Sequence, residues 1–159
     1  MRILLTGAAG FIGHSVTLKL LEKGENVFGI DNLNPYYEPN LKLDRIKNIE
    51  SEIINWKGCK WQFKKCDLNE IDLLEKIFMD FKPDVVVNLA AQAGVRYSIE
   101  NPSEYIQTNL VGFANILECC RSEKIKHLVY ASSSSVYGGN TKMPFSEKQS
   151  VDHPVSLYA

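Results

Sequence analysis

The sequence has little of what membrane, nucleic-acid-binding or metal proteins usually carry. Its formal net charge is −1, so no excess of basic residues favours nucleic acid or anionic lipid. No apolar run approaches the roughly 20 residues that span a bilayer, and the first run, Ile3–Leu5, is too short for a signal peptide. The three histidines are scattered and the four cysteines lack C-x-x-C spacing, which argues against a metal site. We therefore expect a cytoplasmic protein whose reduced cysteines lie in the core or in a groove.

What the sequence does have is a regular alternation of short apolar runs and helical patterns. Strands are predicted at Ile3–Leu5, Val27–Ile30, Trp61–Cys66, Val85–Leu89 and Leu128–Ala131. Helices are predicted near residues 12–23, 40–50, 70–81 and 103–121. Strands that are apolar on both faces and alternate with helices indicate one α/β domain with a doubly wound parallel sheet. Right-handed crossovers, with a reversal after the first half, predict the strand order 3-2-1-4-5.

A glycine-rich turn, Thr6-Gly7-Ala8-Ala9-Gly10-Phe11-Ile12-Gly13, follows the first strand and opens a helix. We expect Gly7 to adopt backbone angles closed to residues with a Cβ, Gly10 to let the main chain approach a pyrophosphate, and Gly13 to let the helix lie close to its strand. The free N–H groups at the helix start, at Phe11 and Ile12, would face that anion. The turn predicts a binding site for dinucleotide phosphates.

An acid at the end of the second strand supports the same site. Asp31 follows Gly13 at about the 20-residue spacing typical of a carboxylate that binds the adenosine ribose. Such a carboxylate would repel a 2′-phosphate, which favours NAD over NADP. The irregular segment Asn32–Asn40 is predicted to be a loop where adenosine passes. Asp67, after the third strand, is placed to accept from the adenine amino group, to cap the next helix, or both.

The fourth predicted helix carries one polar residue of interest. Asn101 and Glu104 are predicted to form a capping box around Pro102. An apolar stripe is predicted from Ile106, Leu110, Phe113, Ile116, Leu117 and Cys120. Asn109 lies at the edge of this stripe, and we expect it to bond the main chain of a neighbouring loop, since a buried amide needs partners. The alternative is an exposed polar residue.

Four segments together resemble the extended short-chain dehydrogenase/reductase family, the NAD-dependent epimerases and dehydratases. They are the glycine-rich turn, Asn88-Leu89-Ala90-Ala91, Ser132-Ser133-Ser134-Ser135-Val136-Tyr137-Gly138, and Tyr158. Within that family the stretches at 31–37, 91–98 and 151–159 look like UDP-glucuronate 4-epimerases. The resemblance covers the whole chain but only the N-terminal part of the family's length.

The resemblance implies NAD as cofactor and a UDP-sugar as substrate. UDP-glucuronate would become UDP-galacturonate through a 4-keto intermediate, in polysaccharide precursor synthesis, and the full-length enzyme would be a homodimer. Ser133 would orient the 4-hydroxyl, Tyr158 would be the acid/base and Ser134 would contact the substrate. Arg96, in a loop after strand 4, would bind the substrate carboxylate or hold the loop through an ion pair. The other expected cofactor contacts are Asn32, Leu68, Leu89, Ala90, Ala91, Gln92, Asn109 and Ser132.

Alternatives to this function remain open. The family places a lysine four residues after the tyrosine, and that position lies beyond Ala159. We therefore expect residues 1–159 to be a truncated NAD-binding domain without the C-terminal nucleotide-sugar domain and inactive alone; a non-catalytic NAD-binding fragment is one alternative. UDP-glucose 4-epimerase is another. A 4,6-dehydratase is disfavoured, because Ser134 and Ser135 stand where that class has an Asp-Glu pair.

Overall fold

The computed structural model describes residues 1–159 and contains one five-stranded sheet. The strands are β1 Arg2–Thr6, β2 Asn26–Asp31, β3 Trp61–Lys65, β4 Val85–Asn88 and β5 His127–Tyr130. The helices are α1 Phe11–Glu22, α2 Pro39–Glu52, α3 Ile71–Phe81, α4 Val95–Glu100, α5 Pro102–Tyr105 and α6 Phe113–Ser122. All strand pairs are parallel and the order is 3-2-1-4-5, which confirms the predicted topology.

The core lies on both faces of the sheet. Leu4 belongs to a cluster with Phe78 and Ile116, whereas its neighbour Leu5 packs in a second cluster with Leu21. Successive side chains of a strand point to opposite faces, so a strand buried on both sides is apolar at every position. The first cluster also holds three of the four cysteines, and all four thiols are free, as expected for reduced cysteines.

The helix predicted over 103–121 is not one continuous α-helix. Between α5 and α6 lies a π-helical segment, Ile106–Gly112. Its wider turn shifts the faces relative to an α-helical pattern. The predicted apolar stripe is therefore split: Ile116 is buried, while Leu110 and Leu117 are 63% and 45% exposed.

The predicted capping box is also wrong. The Asn101 side chain makes no capping hydrogen bond, and its backbone angles are φ −132° and ψ 64°. The reason is the unpredicted helix α4, which ends immediately before it. Asn101 closes α4 instead, because its N–H donates to the carbonyl of Tyr97.

Strand β5 forms an open edge of the sheet. It pairs only with β4, and Val129 and Tyr130 are 44% and 59% exposed. Open strand edges of this kind are surfaces prone to association. None of the helices combines the length and apolarity that crossing a membrane requires.

Candidate functional site

A cleft opens at the carboxyl ends of β1, β2 and β4. The strand order reverses between β1 and β4, which is where doubly wound sheets bind ligands. Most of the expected cofactor contacts line this cleft: Gly7, Gly10, Asp31, Asn32, Asp67, Leu68, Leu89, Ala90, Ala91 and Gln92. The loop after β2 contributes Asn34, Tyr36 and Tyr37 to the same cleft.

The glycine-rich turn has the predicted backbone. Gly7 has φ +70°, and a Cβ there would lie 2.8 Å from the Ala90 nitrogen. A Cβ on Gly13 would lie 2.0 Å from the Gly7 carbonyl oxygen, so only glycine lets α1 begin this close to β1. The turn thus brings the start of α1 against the carboxyl end of β1.

The N-terminus of α1 is open to an anion. Gly10 offers no side-chain cap, and the first turn holds no acid. The first amide bonded back into the helix is that of His14, to the Gly10 carbonyl, so the N–H groups of Phe11 and Ile12 remain available. Their side chains are 77% and 59% exposed and do not line the cleft, so these two residues would contribute main chain only.

Asp31 is buried and already has several partners. Its Oδ2 accepts from the Ala9 N–H at 3.2 Å, and its Oδ1 accepts from the Leu33 N–H at 2.8 Å. The Nζ of Lys42 lies 3.5 Å from the same Oδ1 and donates to Asn34 Oδ1 at 2.9 Å. The carboxylate therefore reaches the cleft as part of an ion pair rather than as an isolated charge.

Sequence reasoning missed Lys42. It is buried in α2 together with Ile46 and Ile49, at the i, i+4 and i+7 positions of one helix face. A lysine in an otherwise apolar face is the signal that it needs a buried anion, and β2 ends in that anion.

Asp67 does not cap the following helix, so that interpretation is wrong. Its Oδ2 accepts from Asn32 Nδ2 at 2.8 Å, and its Oδ1 accepts from the Asn69 N–H at 2.9 Å. The residue that directly precedes α3 is Glu70, because a turn intervenes after β3. Asp67 and Asn32 thus hold the ends of β2 and β3 together beneath the cleft.

The tail of β4 is tied down from two sides. Thr6 Oγ1 donates to Asn88 Oδ1 at 2.7 Å and accepts from the Ala90 N–H at 3.0 Å. Asn109 accepts from the Gln92 N–H at 2.8 Å and donates to the Gln92 carbonyl at 2.9 Å, which confirms the expected main-chain contact. The Gln92 side chain is 3% exposed, and its Nε2 has no partner within the protein. This places a buried amide beside the cleft.

A second cavity adjoins the first. The two share Ala90 and Ala91 in their walls. Four further predicted site residues line the second cavity: Asn109, Ser132, Ser133 and Tyr158. Both residues that carry the candidate hydroxyls therefore line one space.

The two candidate hydroxyl residues are each held by local contacts. Ser133 Oγ accepts from the Ser135 N–H at 3.2 Å. The Tyr158 ring meets that of buried Tyr105 edge-to-face, with 5.8 Å between centroids. Such edge-to-face pairs are favourable for aromatic rings, so Tyr158 has a defined place in the wall.

Two expected substrate residues lie elsewhere. Ser134 begins the 3-10 turn Ser134–Tyr137 and lines neither cavity. Arg96 lies in α4 rather than in a loop, is exposed and makes no ion pair. The ion-pair alternative for Arg96 is therefore wrong, and its contact with a substrate stays a prediction.

Known proteins can now be compared with this geometry. Residues 4–159 match the family described as GDP-mannose 4,6 dehydratase. The chain belongs to this family. It is 55% identical to protein CapI of Staphylococcus aureus, over 100% of this chain and 46% of that protein. It is 49% identical to UDP-glucuronate 4-epimerase 4 of Arabidopsis thaliana, over 99% of this chain and 35% of the relative.

A solved structure gives the same fold. UDP-glucose 4-epimerase from Bifidobacterium longum, in complex with NAD+ and UDP, matches with a TM-score of 0.84 and 25% identity, over 99% of this chain and 44% of that one. The chain thus spans less than half the length of these relatives.

Proposed function

We propose that residues 1–159 form the NAD-binding domain of a UDP-sugar 4-epimerase that converts UDP-glucuronate to UDP-galacturonate. The observation that carries this proposal is the pair of adjoining cavities. One has the glycine turn and Asp31, the other has Ser133 and Tyr158, and the two share a wall.

The cleft fits an adenine dinucleotide on three features of its own. It has a turn whose glycines leave room that a Cβ would fill, an uncapped helix N-terminus, and a buried Gln92 amide without a partner. The main chain at Gly7–Gly13 would bind the pyrophosphate, and Asp31 would accept from the ribose hydroxyls. The adenine would lie by Asn32, Asp67 and Leu68. The remaining contacts would come from Leu89–Gln92, Asn109 and Ser132.

NAD, when bound, supplies a hydride acceptor and donor, so net redox change over a cycle is zero. Tyr158 would take the proton of the sugar's 4-hydroxyl, while Ser133 hydrogen-bonds the same oxygen. After the 4-keto sugar has presented its other face, Tyr158 would return that proton. The contribution of this chain is thus to orient the alcohol and to move one proton at one oxygen.

The substrate assignment draws support from similarity and from charge. The Arabidopsis relative is a UDP-glucuronate 4-epimerase. Arg96 is an exposed guanidinium without a carboxylate partner, which suits a hexuronate, and Ser134 is proposed as a further substrate contact. The match to a UDP-glucose 4-epimerase supports UDP-glucose as the second candidate substrate.

The setting of the enzyme is part of the proposal. Four free cysteines suit a reducing compartment, which favours the cytoplasm. We propose a homodimeric enzyme, because Leu110 and Leu117 form exposed apolar surface on neighbouring helical segments. The net charge of −1 gives nucleic acid no electrostatic reason to bind.

Titration calorimetry with NAD tests the cofactor half of the proposal. One binding site is expected, and the absence of binding would contradict it. The 159-residue chain is expected to bind NAD without turnover, because none of the residues that line the cavity with Tyr158 is basic. Ordinary rates in a coupled assay of this chain would overturn that expectation.

The reaction is tested on the enzyme purified from its natural source. UDP-glucuronate and UDP-glucose are assayed in parallel, with products identified by NMR. UDP-galacturonate from the first substrate, at a higher rate than product from the second, is the expected result. Turnover of UDP-glucose alone would assign the second candidate.

A further inference from the structure

We propose that Lys42 could bind a phosphate on the adenosine 2′-oxygen but is paired with Asp31 instead. By holding Lys42 in this ion pair, Asp31 keeps the cleft selective for NAD. This inference rests on the proposed binding of an adenine dinucleotide. It assigns the preference for NAD over NADP to the ion pair of Asp31 and Lys42, not to the Asp31 carboxylate alone.

The cation lies beside the carboxylate that is proposed to bind the adenosine ribose. Lys42 Nζ is 3.5 Å from Asp31 Oδ1, 2.9 Å from Asn34 Oδ1 and 5.2 Å from the centroid of the Tyr37 ring. Lys42 and Asp31 are only 5% and 7% exposed, yet both line the cleft. A ligand group that replaced the Asp31 carboxylate would therefore meet the ammonium directly.

Burial makes the cation depend on an anion. An ammonium this poorly hydrated is costly unless it is paired, and Asp31 is the one carboxylate in contact with it. Removing that carboxylate leaves a buried positive charge, while a smaller side chain opens space beside it. A phosphate dianion on the 2′-oxygen would supply both the charge and the acceptor oxygens.

A second cation strengthens the local field. Arg45, one helical turn beyond Lys42, donates through Nη1 to the Ala9 carbonyl at 3.1 Å and to the Tyr37 hydroxyl at 2.8 Å. Both acceptors are neutral, and Arg45 makes no salt bridge. Lys42 and Arg45 thus place two cations on α2 near this end of the cleft, and Asp31 is the carboxylate that contacts Lys42. A 2′-phosphate is an anion that could take its place.

Titration calorimetry with NAD and NADP on four proteins tests the proposal. They are the unmodified chain, Asp31→Ser, Asp31→Ser/Lys42→Met and Asp31→Ser/Lys47→Met. Lys47 is the matched control, because it lies in the same helix but its exposed side chain pairs with Asp44. The unmodified chain should prefer NAD, and Asp31→Ser should shift the ratio of dissociation constants towards NADP by roughly 10- to 100-fold, the range for a charge-assisted contact. The Lys42→Met double variant should lose this shift, and the Lys47→Met double variant should keep it.

Several outcomes would overturn the inference. If the unmodified chain binds no NAD, the proposed function fails and the inference with it. If the unmodified chain binds NAD but Asp31→Ser does not shift the ratio of dissociation constants towards NADP, the role of Lys42 is refuted while the proposed function stands. The same holds if Asp31→Ser/Lys42→Met shows the same shift as Asp31→Ser.

A single variant covers the case in which Asp31→Ser does not fold. Lys42→Met in the otherwise unmodified chain should weaken NADP relative to NAD by about tenfold, because the Asp31 carboxylate, no longer neutralised by Lys42, would repel a 2′-phosphate more strongly. Lys47→Met should leave the ratio unchanged. Equal ratios in the Lys42→Met and Lys47→Met variants would refute the assignment.

Discussion

Asn109 is the residue whose removal should damage the candidate site most clearly. It spans the gap between the π-helical segment and the tail of β4, with one hydrogen bond to each main-chain polar group of Gln92. Asn109→Ala removes both bonds and leaves a buried N–H and a buried carbonyl without partners. Because Gln92 is 3% exposed, water has little access to replace them.

The size of the effect follows from these two groups. A net hydrogen bond contributes about 0.5–1.5 kcal/mol, and a buried group left unpaired costs about 1–3 kcal/mol. We therefore expect Asn109→Ala to lower the free energy of unfolding by about 2–4 kcal/mol. With a urea dependence of about 1–3 kcal/mol/M, the unfolding midpoint should fall by about 1–2 M. NAD should bind about tenfold more weakly, since the cleft wall at Gln92 loses its support.

Urea unfolding and NAD titration of the same samples measure both effects. Gln107→Ala is the matched control, because Gln107 is an exposed residue in the same π-helical segment. Asn109→Asp keeps the acceptor for the Gln92 N–H but loses the donor to the Gln92 carbonyl. Below about pH 4 the carboxyl is protonated and can donate to that carbonyl, so this variant should regain stability relative to the unmodified chain. A loss below about 0.5 kcal/mol in Asn109→Ala, no larger than in the control, would refute this reasoning.

Three further outcomes are expected. Gly13→Ala should abolish NAD binding and lower stability, because its Cβ would lie 2.0 Å from the Gly7 carbonyl oxygen; near-normal calorimetric titration would contradict this. Burial raises the pKa of the Cys66 thiol to about 12, so at pH 8 a thiol reagent should label half-buried Cys59 first and the three buried cysteines only after unfolding; rapid labelling of all four would disprove it. The open β5 edge and the exposed apolar face should make the chain associate as concentration rises, and Leu110→Lys/Leu117→Lys should reduce this; a clean monomer at high concentration in size-exclusion chromatography would count against it.

The sequence predicted the features of the site that depend on local chemistry. The glycine turn, the five strands and the acid at the end of β2 each have a signal within a few residues. Asn109 was predicted to bond main chain because a polar residue beside an apolar stripe needs partners. The strand order followed from the alternation of elements and the handedness of crossovers.

The remaining features depend on contacts between distant segments. The role of Lys42 appears only when α2 packs beside the end of β2. The ending of α4 at Asn101 takes away the expected cap, and no glycine or proline marks the change to a π-helical segment. Arg96 shows the same limit, since its position after β4 did not reveal that α4 would carry it away from any carboxylate.

The π-helical segment has a consequence for how the chain tolerates insertions and deletions. One residue corresponds to about 100° of rotation in an α-helix. Deleting one residue within Ile106–Gly112 to restore ordinary helical geometry would turn either Asn109 or Ile116 away from its partners. The widened turn therefore sets the rotation of α6 relative to the π-helical segment, so that Asn109 and Ile116 both meet their partners. The fold thus requires the length of this segment as much as any side chain in it.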